Sequence, residues 1–228
     1  MSSGELMLPQ DRASLYRSVA ELHAANIDQG FLSSLGLGFL SLMYRAIDEV
    51  DESVLVVSKS DKQVIGFIAG ATSMRPIYRR MLRYWPQLFW ALLPSLSSPQ
   101  RVRRIIEILR YSSDKGACSK VTLPTAELLS IAVSHEFRGQ RHADDLYREL
   151  CEHFLQQKLP AFKIVVGSVL LPAHKFYQRM GAKPTADVEV HHGSASTVYV
   201  QWLPLKLPTS NGQSSFLGQV QLVSARRE

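Results

Sequence analysis

The sequence predicts a single α/β domain of 228 residues, and three local patterns support this prediction. Two β-rich runs, SVLVVSK and VIGFIAGAT, flank a polar turn at 61–63 and indicate a β-hairpin. The apolar run ELLSIAV at 127–133 shows little alternation, as a buried central strand does. A helical pattern reaching Leu155 follows it, and such alternation of strands and helices is typical of a layered α/β fold.

The other elements follow from periodicity and from residues that end helices. They are predicted as a short strand at 5–8, helices over 8–27 and 31–50, a strand at 162–169, a short helix at 172–180 and a closing hairpin over 186–203. Gly36 and Gly38 weaken the second helix locally. The tail from Thr209 is rich in Ser, Gly and Gln, so we expect a folded domain over 1–208 and a flexible tail over 209–228.

Composition favours a cytoplasmic protein. The N-terminal MSSGELMLPQ lacks an apolar core of signal-peptide length, and no apolar run reaches the ~20 residues of a membrane-spanning helix. Cys118 and Cys151 form neither a metal-ligand spacing nor a disulfide framework, which favours a reducing compartment. The histidines show no ligand spacing either, so we infer no metal.

The basic excess of the chain is concentrated in one segment. Between Arg75 and Arg110 there are eight arginines, no lysine and one acid, Glu107. The net charge of +7 in this segment exceeds the +6 of the whole chain, so the remainder is slightly acidic. This distribution argues against a nucleic-acid-binding protein and predicts one local surface that attracts anions.

Prolines divide the basic segment into helical patterns at 77–95 and 99–111, which together predict a helical insert at about 75–112. Four apolar residues can line one stripe while the arginines face water or a ligand, namely Leu82, Leu88, Phe89 and Leu92. Three interpretations are open. The insert is a hairpin with a solvated basic face, a lid whose arginines hold acceptor phosphates, or a peripheral membrane-surface element.

The segment EFRGQRHADDL follows the predicted central strand and opens a helix. A helix N-terminus offers unpaired N–H groups and a positive dipole end to a phosphate. Glycine before the helix lets the backbone approach such a ligand, and Arg138-Gly139 meets this need. Arg141 stands where a second glycine is wanted. Taken alone, the segment also fits an ordinary strand-to-helix loop.

The surrounding stretch LLSIAVSHEFRGQRHADDLYREL resembles the acyl-CoA-binding motif of the GNAT superfamily of N-acyltransferases. The usual motif is an apolar strand ending in Val, a spacer, and Arg/Gln-x-x-Gly-x-Gly/Ala at the start of a helix. Arg138, Gly139 and Ala143 match this pattern, whereas Arg141 departs from it.

A second motif of the same family, Ala-x-x-Phe-Tyr-x-x-x-Gly, is present from Ala173 to Gly181. Leu170 replaces the asparagine that the family often has three residues before the alanine. The basic insert and the segment AELHAANIDQGFLSSLGLGFLSLMY are also similar to a GNAT subgroup associated with bacterial surface-polysaccharide gene clusters.

The resemblance implies a GNAT fold, in which a mixed central sheet has central strands that splay apart, with flanking helices and the helical insert. Acetyl-CoA would enter between the strands at 127–133 and 162–169. The pantetheine arm would pair with the first of these like an added strand, at Ile131, Ala132 and Val133. The diphosphate would bind to the turn formed by Arg138, Gly139, Gln140, Arg141, His142 and Ala143.

Arg141 itself has three interpretations. Its guanidinium adds a contact to a cofactor phosphate, or it crowds the turn and weakens cofactor binding, or the loop serves another purpose. We expect a helical or near-helical backbone at this position, in which an arginine is tolerated.

The resemblance also implies catalytic roles. Tyr177 occupies the position of the tyrosine that protonates or hydrogen-bonds the leaving sulfur, unless it is simply packed beside Phe176. Glu127 occupies the position of a general-base carboxylate, unless it is a solvated residue at a strand start. Neither cysteine lies in a motif, which gives no support to a cysteine nucleophile.

The predicted function is therefore acetyl transfer from acetyl-CoA to a primary amine, by direct attack in a ternary complex. The expected acceptor is a small and anionic molecule, with an amino sugar on a nucleotide or lipid phosphate as the first hypothesis. Two alternatives are a non-catalytic acyl-CoA-binding protein, suggested by the two departures from the motifs, and a protein acetyltransferase whose basic insert docks an acidic partner.

Overall fold

A computed structural model describes residues 9–27, 31–61, 63–96, 123–191, 194–203 and 220–221. The helices are α1 (Pro9–Asn26), α2 (Leu37–Asp48), α3 (Met74–Leu82), α4 (Trp85–Leu96), α5 (His142–Gln156) and α6 (Leu171–Arg179). The strands are β1 (Ser53–Ser60), β2 (Gln63–Ala71), β3 (Glu127–Val133), β4 (Ala161–Gly167), β5 (Lys183–His191), β6 (Ser194–Trp202) and β7 (Val220–Gln221). Short 3-10 helices cover Phe31–Leu35 and His135–Phe137.

The strands form one mixed sheet in the order β5-β6-β4-β3-β2-β1-β7. Only β3 and β4 run parallel, and their pairing is limited to Glu127 with Lys163 and Leu128 with Ile164. Beyond this point the two central strands separate, as the resemblance implies. Leu129 is an extra residue on β3, because Leu128 and Ser130 pair with adjacent residues of β2. Such a bulge bends the strand locally.

Helices cover both faces of the sheet. Helices α1, α2 and α3 pack on one face, where Tyr44 and Leu40 are fully buried. Helix α5 packs on the other face with its residues Leu146, Leu150 and Phe154. The amphipathic pattern of each helix thus matches its position, and burial of these side chains supplies most of the driving force for folding.

The predicted helix over 31–50 is interrupted. Gly36 has φ +89°, a left-handed conformation that ends the 3-10 helix and starts α2. Residues 220–221, within the predicted flexible tail, pair with Val57 and Ser58 of β1. The predicted strand at 5–8, the insert helix at 99–111, Cys118 and the rest of the tail lie outside the described residues.

The predicted apolar stripe of the insert is wrong for two of its four residues. Leu88 and Leu92 pack on the core, whereas Leu82 and Phe89 are exposed. Leu82 is the last residue of α3, whereas the other three residues belong to α4, which begins at Trp85. On α4 itself Phe89 lies about 100° around the helix from Leu88 and about 300° from Leu92, at the edge of the side that packs on the core.

Candidate active site

A groove of about 1010 Å³ opens beside the free part of β3, between the start of α5 and helix α6. It brings together nine of the predicted site residues, namely Ile131, Ala132, Val133, Arg138, Gly139, Arg141, His142, Ala143 and Tyr177. Gln140 does not line the groove; its exposed side chain donates to the Glu136 carbonyl at 3.4 Å. Glu127 does not line it either.

The turn at the mouth of the groove presents unpaired backbone donors. Within the part of the chain that the structure describes, the amide N–H groups of 139–143 have no hydrogen-bond acceptor. Gly139 has φ +80°, and a Cβ added there would meet no atom within 4 Å. The glycine is thus required by backbone conformation, and its missing side chain leaves the amides open to a ligand. A row of such donors at a helix start fits an anion.

Arg141 adopts a conformation that we did not expect. Its φ of 65° and ψ of 6° are left-handed rather than helical, and it immediately precedes α5 as the N-cap residue. Its carbonyl accepts hydrogen bonds from the amides of Asp144 and Asp145, at 2.9 and 3.1 Å. The turn therefore does favour a glycine at this position, and an arginine costs roughly 1–2 kcal/mol of backbone free energy.

The charges around the turn favour a bound anion only because two acids are neutralised. Asp144 and Asp145 lie in the first turn of α5, where they would repel a phosphate. Arg179 donates to both oxygens of Asp144, at 2.6 and 2.8 Å, and these bonds hold the pKa of Asp144 below its usual value. Arg148 donates to Asp145 at 3.1 Å.

Two further arginines of the groove make no ion pair with a carboxylate among the described residues. Arg138 donates to the Val133 carbonyl at 3.2 Å and to Asn26 Oδ1 at 2.6 Å, both neutral acceptors. Arg141 is exposed at the mouth of the groove. The groove consequently keeps two unit positive charges beside the unpaired amides, which matches the charge of a diphosphate.

The sequence profile of the Acetyltransferase (GNAT) family matches residues 27–182, which is more than half of the chain. The chain belongs to this family. Membership confirms the fold class and the resemblance seen in the motifs, and it makes the chain an acetyl-CoA-dependent N-acetyltransferase with acetyl-CoA as acyl donor. The open amides and the two arginines fit the diphosphate of that donor. No curated protein sequence matches the chain.

Solved structures share the GNAT fold with this acetyltransferase. An N-acetyltransferase from Staphylococcus aureus Mu50 is 10% identical, with a TM-score of 0.54 over 84% of this chain and 94% of that one. The PaiA N-acetyltransferase from Thermoplasma acidophilum, in complex with coenzyme A, is 11% identical, with a TM-score of 0.51 over 83% and 94%. At these identities the likeness concerns the fold alone.

Tyr177 is a buried residue that lines the groove of this GNAT protein. Its ring packs against those of Tyr147, Phe176 and Tyr199, with centroids 6.1, 5.2 and 6.3 Å away. Its hydroxyl has no hydrogen-bond partner among the described residues. Burial raises the pKa of Tyr177, so the phenol is protonated at neutral pH and can donate a proton or a hydrogen bond.

Glu127 lies at the far end of β3. Ile131, the first groove residue of this strand, is four residues away, which is about 13 Å along a strand. Glu127 Oε2 forms an ion pair with Lys163 Nζ at 3.3 Å. Burial raises the pKa of Tyr78, and the charge of Glu127 adds to this, so the carboxylate lies close to α3. Glu127 and Tyr177 are therefore not in one cavity.

A buried hydrogen-bond chain supports the middle of β3 from the opposite face. Ser130 Oγ lies 3.0 Å from Tyr44 Oη, which lies 2.5 Å from His23 Nδ1. Burial lowers the pKa of His23 to about 4, so the imidazole is neutral at physiological pH. These hydrogen bonds tie α1 and α2 to β3, beside the predicted position of the pantetheine arm.

Sequence reasoning missed several groove residues, above all Asn26, Arg148 and Arg179. One signal could have found Arg148: two aspartates in the first turn of a phosphate-binding helix require neighbouring cations, and Arg148 is three residues after Asp145. Asn26 and Arg179 come from distant segments, so only the fold brings them to the turn.

Proposed function

We propose that this GNAT protein transfers an acetyl group from acetyl-CoA to the primary amine of a small, anionic acceptor, by direct attack in a ternary complex. The observation that carries the proposal is the row of unpaired amides at 139–143, flanked by Arg138 and Arg141 and opening on the groove beside β3. These groups would hold the diphosphate of the donor.

The pantetheine arm would extend along β3 from the turn towards Ser130. Beyond Leu128 this strand pairs with β2 on one side and has no pairing with β4 on the other. Its backbone groups at 131–133 that face away from β2 are thus available to the amides of pantetheine, as in β-strand addition, except the Val133 carbonyl, which accepts from Arg138. A strand N–H near the bulge at Leu129 would polarise the thioester carbonyl.

Tyr177 would serve the leaving group. When the amine nitrogen bonds to the acetyl carbon, the carbon–sulfur bond breaks and the sulfur needs a proton or a hydrogen-bond donor. The buried phenol of Tyr177 has a hydroxyl without a partner among the described residues, which suits this role. Glu127 would accept the proton that the amine releases, through water, because it lies outside the groove.

An amino sugar linked to a phosphate is the acceptor that we favour. Arg79 of α3 and Arg83, the residue after its end, are exposed, and α3 lies beside Glu127. An acceptor whose amine approaches Glu127 would have cationic side chains within reach for its phosphate. The surface-polysaccharide resemblance supports the same class. A cytoplasmic location stays a prediction from the sequence.

The test is release of the coenzyme A thiol with a panel of amines: phosphorylated amino sugars, the same sugars without phosphate, polyamines and peptides. We expect turnover with phosphorylated amino sugars and at least tenfold lower kcat/KM without the phosphate. Preferential turnover of peptides would establish the protein-acetylating alternative. Acetyl-CoA binding without turnover by any amine would contradict the proposal and favour a non-catalytic protein.

The role of Tyr177 is tested by Tyr177→Phe, which removes only the hydroxyl. We expect kcat to fall about a hundredfold, since general acid catalysis contributes at least that much, with an unchanged Kd for acetyl-CoA. Tyr147→Phe is the matched control, because the Tyr147 hydroxyl donates to Gln201 outside the groove, at 2.9 Å. Equal kcat in the two variants would refute the role.

The role of Glu127 is tested by Glu127→Gln beside Lys163→Met, because both variants break the same ion pair. We expect only Glu127→Gln to lower kcat, by about a hundredfold. Similar losses in both variants would show that the pair is structural.

A further inference from the structure

Helix α4 exposes large aromatic side chains that the groove does not use. Trp85, Phe89 and Trp90 are 68%, 50% and 69% exposed, and Leu82 at the end of α3 is 63% exposed. Leu88 and Leu92 of the same helix pack on the core. At about 100° per residue Trp90 faces away from these two leucines, whereas Trp85 and Phe89 lie at the border of the buried side with their rings exposed. Several large exposed apolar side chains on one short segment indicate an interaction site.

The patch is flanked by charge of one sign. Arg79 of α3 and Arg83, which follows the end of α3, are exposed next to it. Residues 74–96 contain four arginines, no lysine and no acid, and α4 itself carries no charged residue. We call Arg79, Leu82, Arg83, Trp85, Phe89 and Trp90 the α3–α4 surface.

The α3–α4 surface is held firmly on the domain. Arg80 Nε donates to Glu49 Oε2 at 2.7 Å, and the Tyr84 hydroxyl donates to the same carboxylate. The guanidinium of Arg45 lies 4.1 Å from the centroid of the Tyr84 ring. Ile77 of α3 is fully buried below. The exposed aromatics therefore belong to an anchored helix pair rather than to a frayed end.

We infer that the α3–α4 surface binds the interface of an anionic phospholipid bilayer. Trp and Phe side chains partition into the headgroup region, and arginines next to them attract anionic headgroups. A second copy of the chain fits less well, because a twofold contact would place arginines of like sign against each other. The inference does not need the proposed acceptor or chemistry, but Arg79 and Arg83 are the same arginines that we propose for an acceptor phosphate, so a lipid-linked acceptor would satisfy both proposals.

The helix geometry agrees with a surface position. Helix α4 has 12 residues and is therefore about 18 Å long, short of the ~30 Å hydrocarbon core. Nowhere in the described ranges does a helix combine the length and apolarity needed to cross a bilayer. The axis of α4 would lie parallel to the membrane plane, with its exposed aromatic rings in the interface and with Arg79 and Arg83 at headgroup level.

The first test is co-sedimentation with vesicles of phosphatidylglycerol or phosphatidylcholine. We expect binding to phosphatidylglycerol vesicles that weakens with salt, and little binding to phosphatidylcholine vesicles. Arg79→Gln with Arg83→Gln should weaken binding about thirtyfold, at roughly 1 kcal/mol for each arginine. Trp85→Ser with Trp90→Ser should weaken it at least tenfold.

Trp202→Ser is the matched control, because Trp202 is 61% exposed on β6, outside the α3–α4 surface; it should leave binding unchanged. The chain has three tryptophans, so Trp202→Phe leaves only Trp85 and Trp90 as fluorophores. Their emission should be quenched by brominated lipids in phosphatidylglycerol vesicles. All variants should keep the wild-type circular dichroism, since each replaces an exposed side chain.

Three results would overturn the inference. These are no binding to phosphatidylglycerol vesicles, equal binding by the Trp85→Ser, Trp90→Ser variant and the Trp202→Ser control, or no quenching of the two tryptophans. A dimer in light scattering that dissociates in Trp90→Ser, without vesicle binding by the wild type, would instead assign the surface to a second copy.

Discussion

Arg141→Gly is expected to raise stability and lower cofactor affinity at the same time. The φ of 65° at this position is disfavoured for arginine and free of steric cost for glycine. The relief of roughly 1–2 kcal/mol is partly offset by the greater entropy of glycine in the unfolded chain, about 0.4–1 kcal/mol. A net gain of about 1 kcal/mol would raise Tm by about 2–4 °C in a domain of this size.

The loss of affinity follows from charge. Arg141 is exposed at the groove beside the unpaired amides, so its guanidinium is available to a phosphate. A charge-assisted hydrogen bond contributes about 1.5–3 kcal/mol, and we therefore expect the Kd for acetyl-CoA to rise about tenfold or more. The assays are denaturant unfolding for stability and isothermal titration calorimetry for affinity.

Two controls separate backbone from charge. Lys158 is another cation with a left-handed backbone, at φ 59°, but it lies beyond the far end of α5. Lys158→Gly should give a similar gain in stability with no change in affinity. Arg141→Asn should lose affinity like the glycine variant, because asparagine tolerates this conformation but is neutral. Tighter binding of acetyl-CoA by Arg141→Gly would refute the reasoning and show that the side chain crowds the turn.

Three further predictions concern stability. The pKa of His23 is about 4 in the folded state and about 6.5 in the unfolded chain, so the unfolded chain binds more protons between these values. The free energy of unfolding should therefore fall as the pH drops from about 6.5 to about 4. A free energy of unfolding that stays constant over this range in urea titrations would contradict the prediction. Arg179 lowers the pKa of Asp144, so this ion pair should stabilise the fold above about pH 4 and lose its effect as the pH falls further. Asp144→Asn should lower the free energy of unfolding by about 1 kcal/mol at pH 7 and remove this pair's share of the loss of stability in acid. Gly70→Ala would place a Cβ 2.6 Å from Leu150 Cδ1. This overpacking should lower the free energy of unfolding by about 1–3 kcal/mol, measured by denaturant unfolding. An unchanged denaturation midpoint would show instead that α5 shifts freely to make room.

Much of the architecture could be predicted from local pattern. The hairpin of β1 and β2, the buried strand at 127–133 and the helix that follows it are specified by short-range periodicity and turn residues. Two family motifs in the correct order then supplied the fold, which the family match confirms. The break between α3 and α4 escaped prediction, because Leu82 continues the apolar period across the turn, and the contacts of Tyr84 and Arg80 with Glu49 that help to stabilise this turn come from a distant segment.

The site was less accessible to sequence reasoning. Eight of the nine strand and turn residues that were predicted to bind the cofactor line one groove, and Gln140 does not. The left-handed Arg141 could not be foreseen, since its conformation depends on where α5 begins. Partners from distant segments, such as Asn26 for Arg138 and Arg179 for Asp144, become neighbours only in the fold.

The account depends most on the turn at 139–143 holding the diphosphate of acetyl-CoA, and a crystal structure of the complex tests this most directly. We predict diphosphate oxygens within about 3 Å of the backbone nitrogens of this turn, with the pantetheine arm along 131–133. Acetyl-CoA bound elsewhere, or a turn closed by the side chain of Arg141, would contradict the account.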